Sequence, residues 1–220
     1  MITKFLGVDI SSPNDIITES ELFFLYGLIS SINPRNIVEL GGGSSGICSK
    51  LFIEAQKNQP NAKLFSIDIL EMKKKSKNHF LLQMDCNDVT STDLHNEKID
   101  VVFFDCHCVI PQLNFFNKMV NEKLIDDETI LILHDTNLFY EPITSETIKN
   151  NGEFGLHTKE GYAHQWVERN LVNYFKLKGY DVFNLSTKSE NHNQNHQLLF
   201  GLSVCKKFKL LNPIYLDYPE

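Results

Sequence analysis

The stretch Ile37-Val38-Glu39-Leu40-Gly41-Gly42-Gly43-Ser44-Ser45-Gly46 constrains this chain more than any other. An apolar run carrying one acid breaks into glycines, and a helix-compatible segment follows from Ile47 to about Lys57. The order is strand, tight turn, helix start. Glycine admits positive φ and leaves no Cβ to hold a ligand away. The first turn of a helix presents N–H groups without partners and a partial positive charge. Such a turn suits a nucleotide-like ligand and opens an α/β sheet.

The pattern continues as alternating elements. Apolar runs predict strands over 36–40, 63–67, 79–84, 99–104 and 129–133, with helices over 45–57 and 110–123. A short basic helix or turn fills 70–77, and a loop with one helical turn fills 86–97. Strands alternating with helices imply parallel βαβ units with right-handed crossovers. The runs 101–104 and 130–133 lack polar alternation, as expected of central strands buried on both faces. The fold class is therefore α/β: a Rossmann-like, mostly parallel sheet with helices on both faces.

The flanks complete a single domain over 1–220. An amphipathic helix is predicted over 13–31, ended by Asn33-Pro34. It is placed either to cap a site or to pack against a second subunit, giving a homodimer. The half that would hold a nucleotide spans 33–134. Residues 135–160, with Pro142, Gly152 and Gly155 and no periodicity, read as a lid or binding loop. A helix over 161–178 stops at Gly179. Strands over 180–186 and 197–205 flank the polar tip 189–195 and should pair antiparallel, so the C-terminal part spans 161–206.

Charge and composition exclude several classes. The 28 acids exceed the 21 Lys and Arg, for a formal charge of −7. With no basic stripe, nucleic acid is not an expected partner; Lys73-Lys74-Lys75-Ser76-Lys77 reads as a solvated face. No apolar run approaches the roughly 18–20 residues that span a bilayer, so no membrane role is expected. The N-terminus lacks a signal-peptide pattern. Five cysteines at irregular spacing favour reduced thiols in a cytoplasmic protein.

Acids recur where strands end: Glu39, Asp68, Asp85, Asp105 and Asp135. Ligands of open α/β sheets bind at the carboxyl ends of the strands, so these side chains should converge on one crevice. Asp68, one βαβ step after the glycine turn, can accept hydrogen bonds from both hydroxyls of a ribose. Asp85-Cys86 is placed to meet an adenine edge. The spacing Gly41-x-Gly43-x-x-Gly46 also satisfies the dinucleotide fingerprint, which permits NAD. Against NAD stand Glu39, a negative charge useless to a pyrophosphate, and the antiparallel C-terminal pair.

These residues together resemble the class I S-adenosylmethionine-dependent methyltransferases. The matching motifs are Val38-Glu39-Leu40-Gly41-Gly42-Gly43-Ser44-Ser45-Gly46, then Phe65-Ser66-Ile67-Asp68, Gln83-Met84-Asp85-Cys86 and Val101-Val102-Phe103-Phe104-Asp105. They lie within a resemblance spanning about 33–206. It implies that Gly41–Gly43 pass under the methionine part of S-adenosyl-L-methionine, with Ser45 in the same loop. Glu39 would lie near the cofactor's amino group, Asp68 at the ribose, and Asp85 and Cys86 at the adenine; Asp105 also counts among the cofactor residues.

The closer resemblance is to small-molecule O-methyltransferases of the sugar-tailoring and catechol type, including the macrocin and cephalosporin-tailoring groups. It implies a divalent metal held by an acid after the fourth strand and an Asp-Asp/Asn element after the fifth. Here those positions are Asp105 and Asp135-Thr136-Asn137, with Thr136 separating residues that are adjacent in the catechol enzymes. Two carboxylates and an amide oxygen suit Mg²⁺. Asp105, His134 and Asp135 are the candidate catalytic residues, with His134 the leading alternative to a metal as general base and His107 comparable to it. Cys106-His107-Cys108 is a poor zinc site, because alternate residues of an extended chain face opposite ways.

In the segment 161–169, His164 and Arg169 are placed to face substrate. Trp166 and Val167 read as core, and Glu168-Arg169 as a structural or interface pair. The expected reaction is transfer of a methyl group to a small-molecule hydroxyl, of sugar or natural-product type. An NAD-linked oxidoreductase and a non-catalytic S-adenosylmethionine binder are the competing readings.

Overall fold

The structure is a computed structural model that describes residues 4–5, 8–9, 17–43, 46–136, 156–158, 161–163, 166–188 and 199–208. Its centre is a seven-stranded sheet: β1 (Asn36–Leu40), β2 (Lys63–Asp68), β3 (His79–Gln83), β4 (Val101–Phe104), β5 (Ile130–Leu133), β6 (Asp181–Lys188) and β7 (Leu199–Lys206). The spatial order is β3-β2-β1-β4-β5-β7-β6. β1 to β5 are mutually parallel, and β7 runs antiparallel to both β5 and β6. The order reverses between β1 and β4, so the crevice between their carboxyl ends is where such a sheet receives a ligand.

Helices cover both faces. α1 (Glu19–Ile32) and α2 (Ile47–Ala55) pack Leu22, Leu25, Ile29, Leu51 and Phe52 against Ile37, Leu64, Val101, Phe103 and Ile132. On the other face, α3 (Val109–Asn121) and α4 (Trp166–Leu177) pack Phe115, Phe116, Leu171 and Phe175 against Val38, Leu40, Phe65, Val102 and Phe104. Because strand side chains alternate, each strand supplies both cores. This is why β1 and β4 are buried at every position and carry no polar alternation.

Several boundaries differ from the sequence expectation, each for a local reason. α1 starts at Glu19 rather than near residue 13, because Thr18 and Glu21 form a capping box. Asn33 ends it in the left-handed region at φ +56°. α4 starts at Trp166, because Gly161–Ala163 pair instead with Leu156–Thr158 as a small antiparallel ladder. That ladder also gives regular structure to a stretch the sequence shows as featureless. The basic run 70–77 forms no helix and lies as irregular chain over the glycine turn. A second small ladder joins Lys4–Phe5 to Val8–Asp9. Ser44 and Ser45, most of 135–160 and the tip 189–195 lie outside the described residues. Among the described residues, no helix is long and apolar enough to cross a membrane.

Candidate active site

The glycine turn is built against the strand across the crevice. Gly41 has φ +90°, and a Cβ there would sit 2.4 Å from the Asp105 carbonyl oxygen and 2.7 Å from the Cys106 nitrogen. No side chain fits, so β1 and β4 approach by backbone alone. Gly43 donates its N–H to Asp68 Oδ2 at 2.8 Å, and Leu70 donates to Oδ1 at 2.8 Å. Asp68 thus ties the turn to the end of β2 while keeping lone pairs for further donors. Asp85 caps the 3₁₀ turn Cys86–Asp88 by accepting from the Asn87 N–H at 2.8 Å. Cys86 is buried, and its sulfur lies 4.0 Å from that of Cys106.

Glu39 is fully buried beneath this turn. Its Oε2 accepts from Ser49 on α2 at 2.6 Å and from Ser66 on β2. Its Oε1 has no hydrogen-bond partner among the described residues. Burial pushes the carboxyl up to about 7, although the two serine hydroxyls pull the other way.

Across the crevice a denser cluster forms. His134, at the end of β5, donates Nδ1–H to Asp105 Oδ1 at 3.0 Å and lies 3.5 Å from Asp135 Oδ1. Its Nε2 is 3.7 Å from Glu21 Oε2 of α1. His107 presents Nε2 at 3.9 Å to Asp105 and Nδ1 at 3.5 Å to Glu168 Oε2 of α4, and its backbone N–H donates to Glu168 Oε1 at 3.0 Å. Gln112 adds a second donor to Oε1 at 3.2 Å. His107 and Asp135 both hold positive φ, at +55° and +54°. Backbone strain of this kind in non-glycine residues concentrates at functional sites.

The cluster is electrostatically uneven. Burial alone would lower both imidazoles, but the surrounding carboxylates win. His107 rises to about 9, chiefly through Glu168, and His134 rises well above its ordinary value through Asp135 and Asp105. Burial pushes Asp135 up to about 7. Asp135 Oδ1, like His134 Nε2, has no hydrogen-bond partner among the described residues. Four carboxylates (Glu21, Asp105, Asp135, Glu168) face two imidazoles, so positive charge from a ligand would be welcome.

The structure thus gathers Asp105, His134 and Asp135, with one donor atom from each within 4.8 Å of the others. It gathers Glu39, Gly41, Gly43 and Asp68 around the turn. Ser45, Asn137 and His164 lie outside the described residues. Arg169 donates to the Thr136 carbonyl at 3.1 Å, which ties α4 to the segment after β5. Cys106 and Cys108 join no group of three metal-ligating side chains among the described residues, and contact with Cys86 together with burial raises the Cys106 thiol.

Two participants escape the sequence reading. Glu21 carries a signal in Thr18-x-x-Glu21, the capping-box pattern. Glu168 carries another: it is an acid on the helix face that also holds Leu171, Val172 and Phe175. An acid on an apolar face calls for a buried partner.

The sheet order, the single antiparallel strand and the glycine turn at the order reversal define the fold of the class I methyltransferases. No family model and no curated sequence matches the chain. Solved structures do. A methyltransferase of Podospora anserina, PaMTH1, bound to S-adenosylhomocysteine, aligns over 88% of this chain and 80% of its own, with TM-score 0.55 and 10% identity. An O-methyltransferase of Bacillus cereus in complex with S-adenosylhomocysteine aligns over 89% and 84%, with TM-score 0.55 and 13% identity. TomG of Streptomyces achromogenes, an O-methyltransferase of tomaymycin synthesis in complex with S-adenosylmethionine, aligns over 88% and 83%, with TM-score 0.53 and 13% identity.

Proposed function

We propose that this chain transfers the methyl group of S-adenosyl-L-methionine to a hydroxyl oxygen of a small molecule, of sugar or natural-product type. The observation that carries the reading is a crevice with two differently prepared walls. One is a glycine turn bracketed by Asp68 and a buried Glu39 with one oxygen unpaired. The other is a cluster of acids and imidazoles at Asp105, His134 and Asp135.

Methyl transfer from a sulfonium is an in-line displacement, so the chain must hold donor and acceptor in line; such positioning supplies up to about 7–11 kcal/mol in favourable intramolecular cases. Gly41 to Gly43 and Glu39 would seat the methionine part, Asp68 the ribose, and Asp85 and Cys86 the adenine. A hydroxyl nucleophile must also lose its proton. Both nitrogens of His134 face carboxylates, which keeps it charged and unable to accept one. Asp135, whose buried Oδ1 accepts no hydrogen bond among the described residues and whose pKa is near neutrality, is the better base. His134 then fixes Asp105 and Asp135 by charge.

The donor set also fits a divalent cation. Asp105 and Asp135 would hold Mg²⁺, together with Asn137 or with His134, whose nitrogen would favour a softer ion. A bound cation would lower the pKa of an acceptor hydroxyl. The surplus of carboxylates, and an Asp135 oxygen that accepts no hydrogen bond among the described residues, support that form. The five free thiols support a reducing, cytoplasmic setting.

Calorimetric titration with S-adenosylhomocysteine and with NAD tests the cofactor, and binding of NAD alone overturns the reading. Panels of small hydroxylated and amine acceptors, scored by S-adenosylhomocysteine release with EDTA or added Mg²⁺, then separate oxygen from nitrogen transfer and metal-assisted from metal-free chemistry.

A further inference from the structure

A chain of buried hydrogen bonds runs behind the glycine turn, and its direction is fixed. The Lys75 backbone N–H faces His79 Nδ1 at 3.2 Å. A backbone N–H can only donate, so Nδ1 is an acceptor and the proton sits on Nε2. Nε2 lies 2.8 Å from Ser66 Oγ, so it donates to that oxygen. Ser66 then turns its own proton to Glu39 Oε2, where Ser49 also donates. His79, Ser66, Ser49 and Glu39 are all buried. Burial, with Lys75 and Lys74 nearby, lowers His79 to about 4, which agrees with a neutral ring of one tautomer.

The chain begins in the basic segment and ends on one carboxylate oxygen. That segment also presses on the turn: a Cβ at Gly42 would meet Met72 Sδ at 2.8 Å, and one at Gly46 would meet Lys75 Cε at 3.0 Å. Both protein donors go to Oε2, while Oε1 is buried and without a hydrogen bond among the described residues. A fully buried carboxylate oxygen without a hydrogen bond, on an acid whose other oxygen lies under Gly42, calls for a donor.

We propose that Ser66 and His79 are positioning residues for the cofactor's methionine moiety. They hold Glu39 through Oε2 so that Oε1 is presented to the α-ammonium group. The inference rests on the reading that this chain binds S-adenosylmethionine. Neither residue touches the ligand. Their effect falls on one functional group of it and leaves adenine and ribose recognition alone.

The test is calorimetric titration with two probes at pH 7.5: S-adenosylhomocysteine, and its analogue with hydrogen in place of the α-ammonium group. The wild-type protein should prefer S-adenosylhomocysteine by about tenfold or more, in line with a hydrogen bond to a charged group. Ser66→Ala should remove most of that preference by weakening S-adenosylhomocysteine alone. His79→Leu should reduce it about threefold. His79→Gln should keep it, since glutamine can accept from Lys75 and donate to Ser66 in the same order. Should Ser66→Ala fail to fold, Ser49→Ala removes the other donor and carries the same expectation. An unchanged preference in Ser66→Ala, or in Ser49→Ala in its place, together with His79→Leu, overturns the inference. A wild-type protein that binds neither probe overturns the methyltransferase reading instead.

Discussion

The two walls of the crevice bury acids among different partners. At the glycine turn, Glu39 meets only neutral donors, Ser49 and Ser66, and its carboxyl rises to about 7. At the far wall, Asp105, Asp135, Glu21 and Glu168 share two imidazoles, whose pKa values these carboxylates raise, while burial also lifts Asp135 to about 7. The first wall holds one buried carboxylate oxygen, Glu39 Oε1, that accepts no hydrogen bond among the described residues. The second holds ready-made charge that can organise a proton transfer or a metal. Strand-end acids therefore share an address, not a role; the donors supplied by neighbouring helices set the role.

The largest expected effect breaks the frame that holds both walls. Gly41→Ala places a Cβ on the Asp105 carbonyl at a φ of +90°. It should destabilise the fold by about 3 kcal/mol or more and abolish cofactor binding, as read by denaturant titration and calorimetry. A variant that binds S-adenosylhomocysteine normally would separate the walls.

Next comes the far wall alone. Asp135→Asn should lower methyl transfer by about 10²–10⁴-fold, the usual contribution of a general base, with S-adenosylhomocysteine affinity unchanged. Equal loss of both would move Asp135 to the cofactor side.

The turn wall should show in pH dependence. Glu39, with its pKa about 7 in the folded protein against an ordinary 4.5, is protonated when folded at pH 5.5 and largely ionised at 8. Affinity for the α-ammonium should rise over that range, and Glu39→Gln should flatten the rise. In the unliganded protein the sign is opposite: the stability contribution of this raised acid is complete below pH 4.5 and is lost as pH rises through 7.

The smallest effect concerns Glu168. His107, raised to about 9, contributes stability that is complete below pH 6.5 and lost as pH rises through 9. Glu168→Gln keeps an acceptor for the His107 N–H but removes the charge. Melting temperature should fall by a few degrees at pH 7 and converge with wild type near pH 10.

Much of this was legible in residue order. Apolar runs closed by acids marked β1, β2, β4 and β5 to within a residue or two, because strands buried on both faces cannot hide polar alternation. The turn was legible because only glycine fits against Asp105. What stayed hidden was pairing across the sheet. Glu21 and Glu168 reach the site from helices distant in sequence, and nothing local names His134 or His107 as their partners. The link from His79 through Ser66 to Glu39 crosses three strands, and only the register of Leu64 with His79 and Glu39 with Ser66 brings it together.

The central claim is that the turn wall is built for S-adenosylmethionine. One calorimetric titration of the wild-type protein and Glu39→Gln with S-adenosylhomocysteine at pH 7.5 tests it most directly. The expected result is one site on the wild-type protein and at least tenfold weaker binding to the variant. Absent binding, or equal affinity for both proteins, would contradict it.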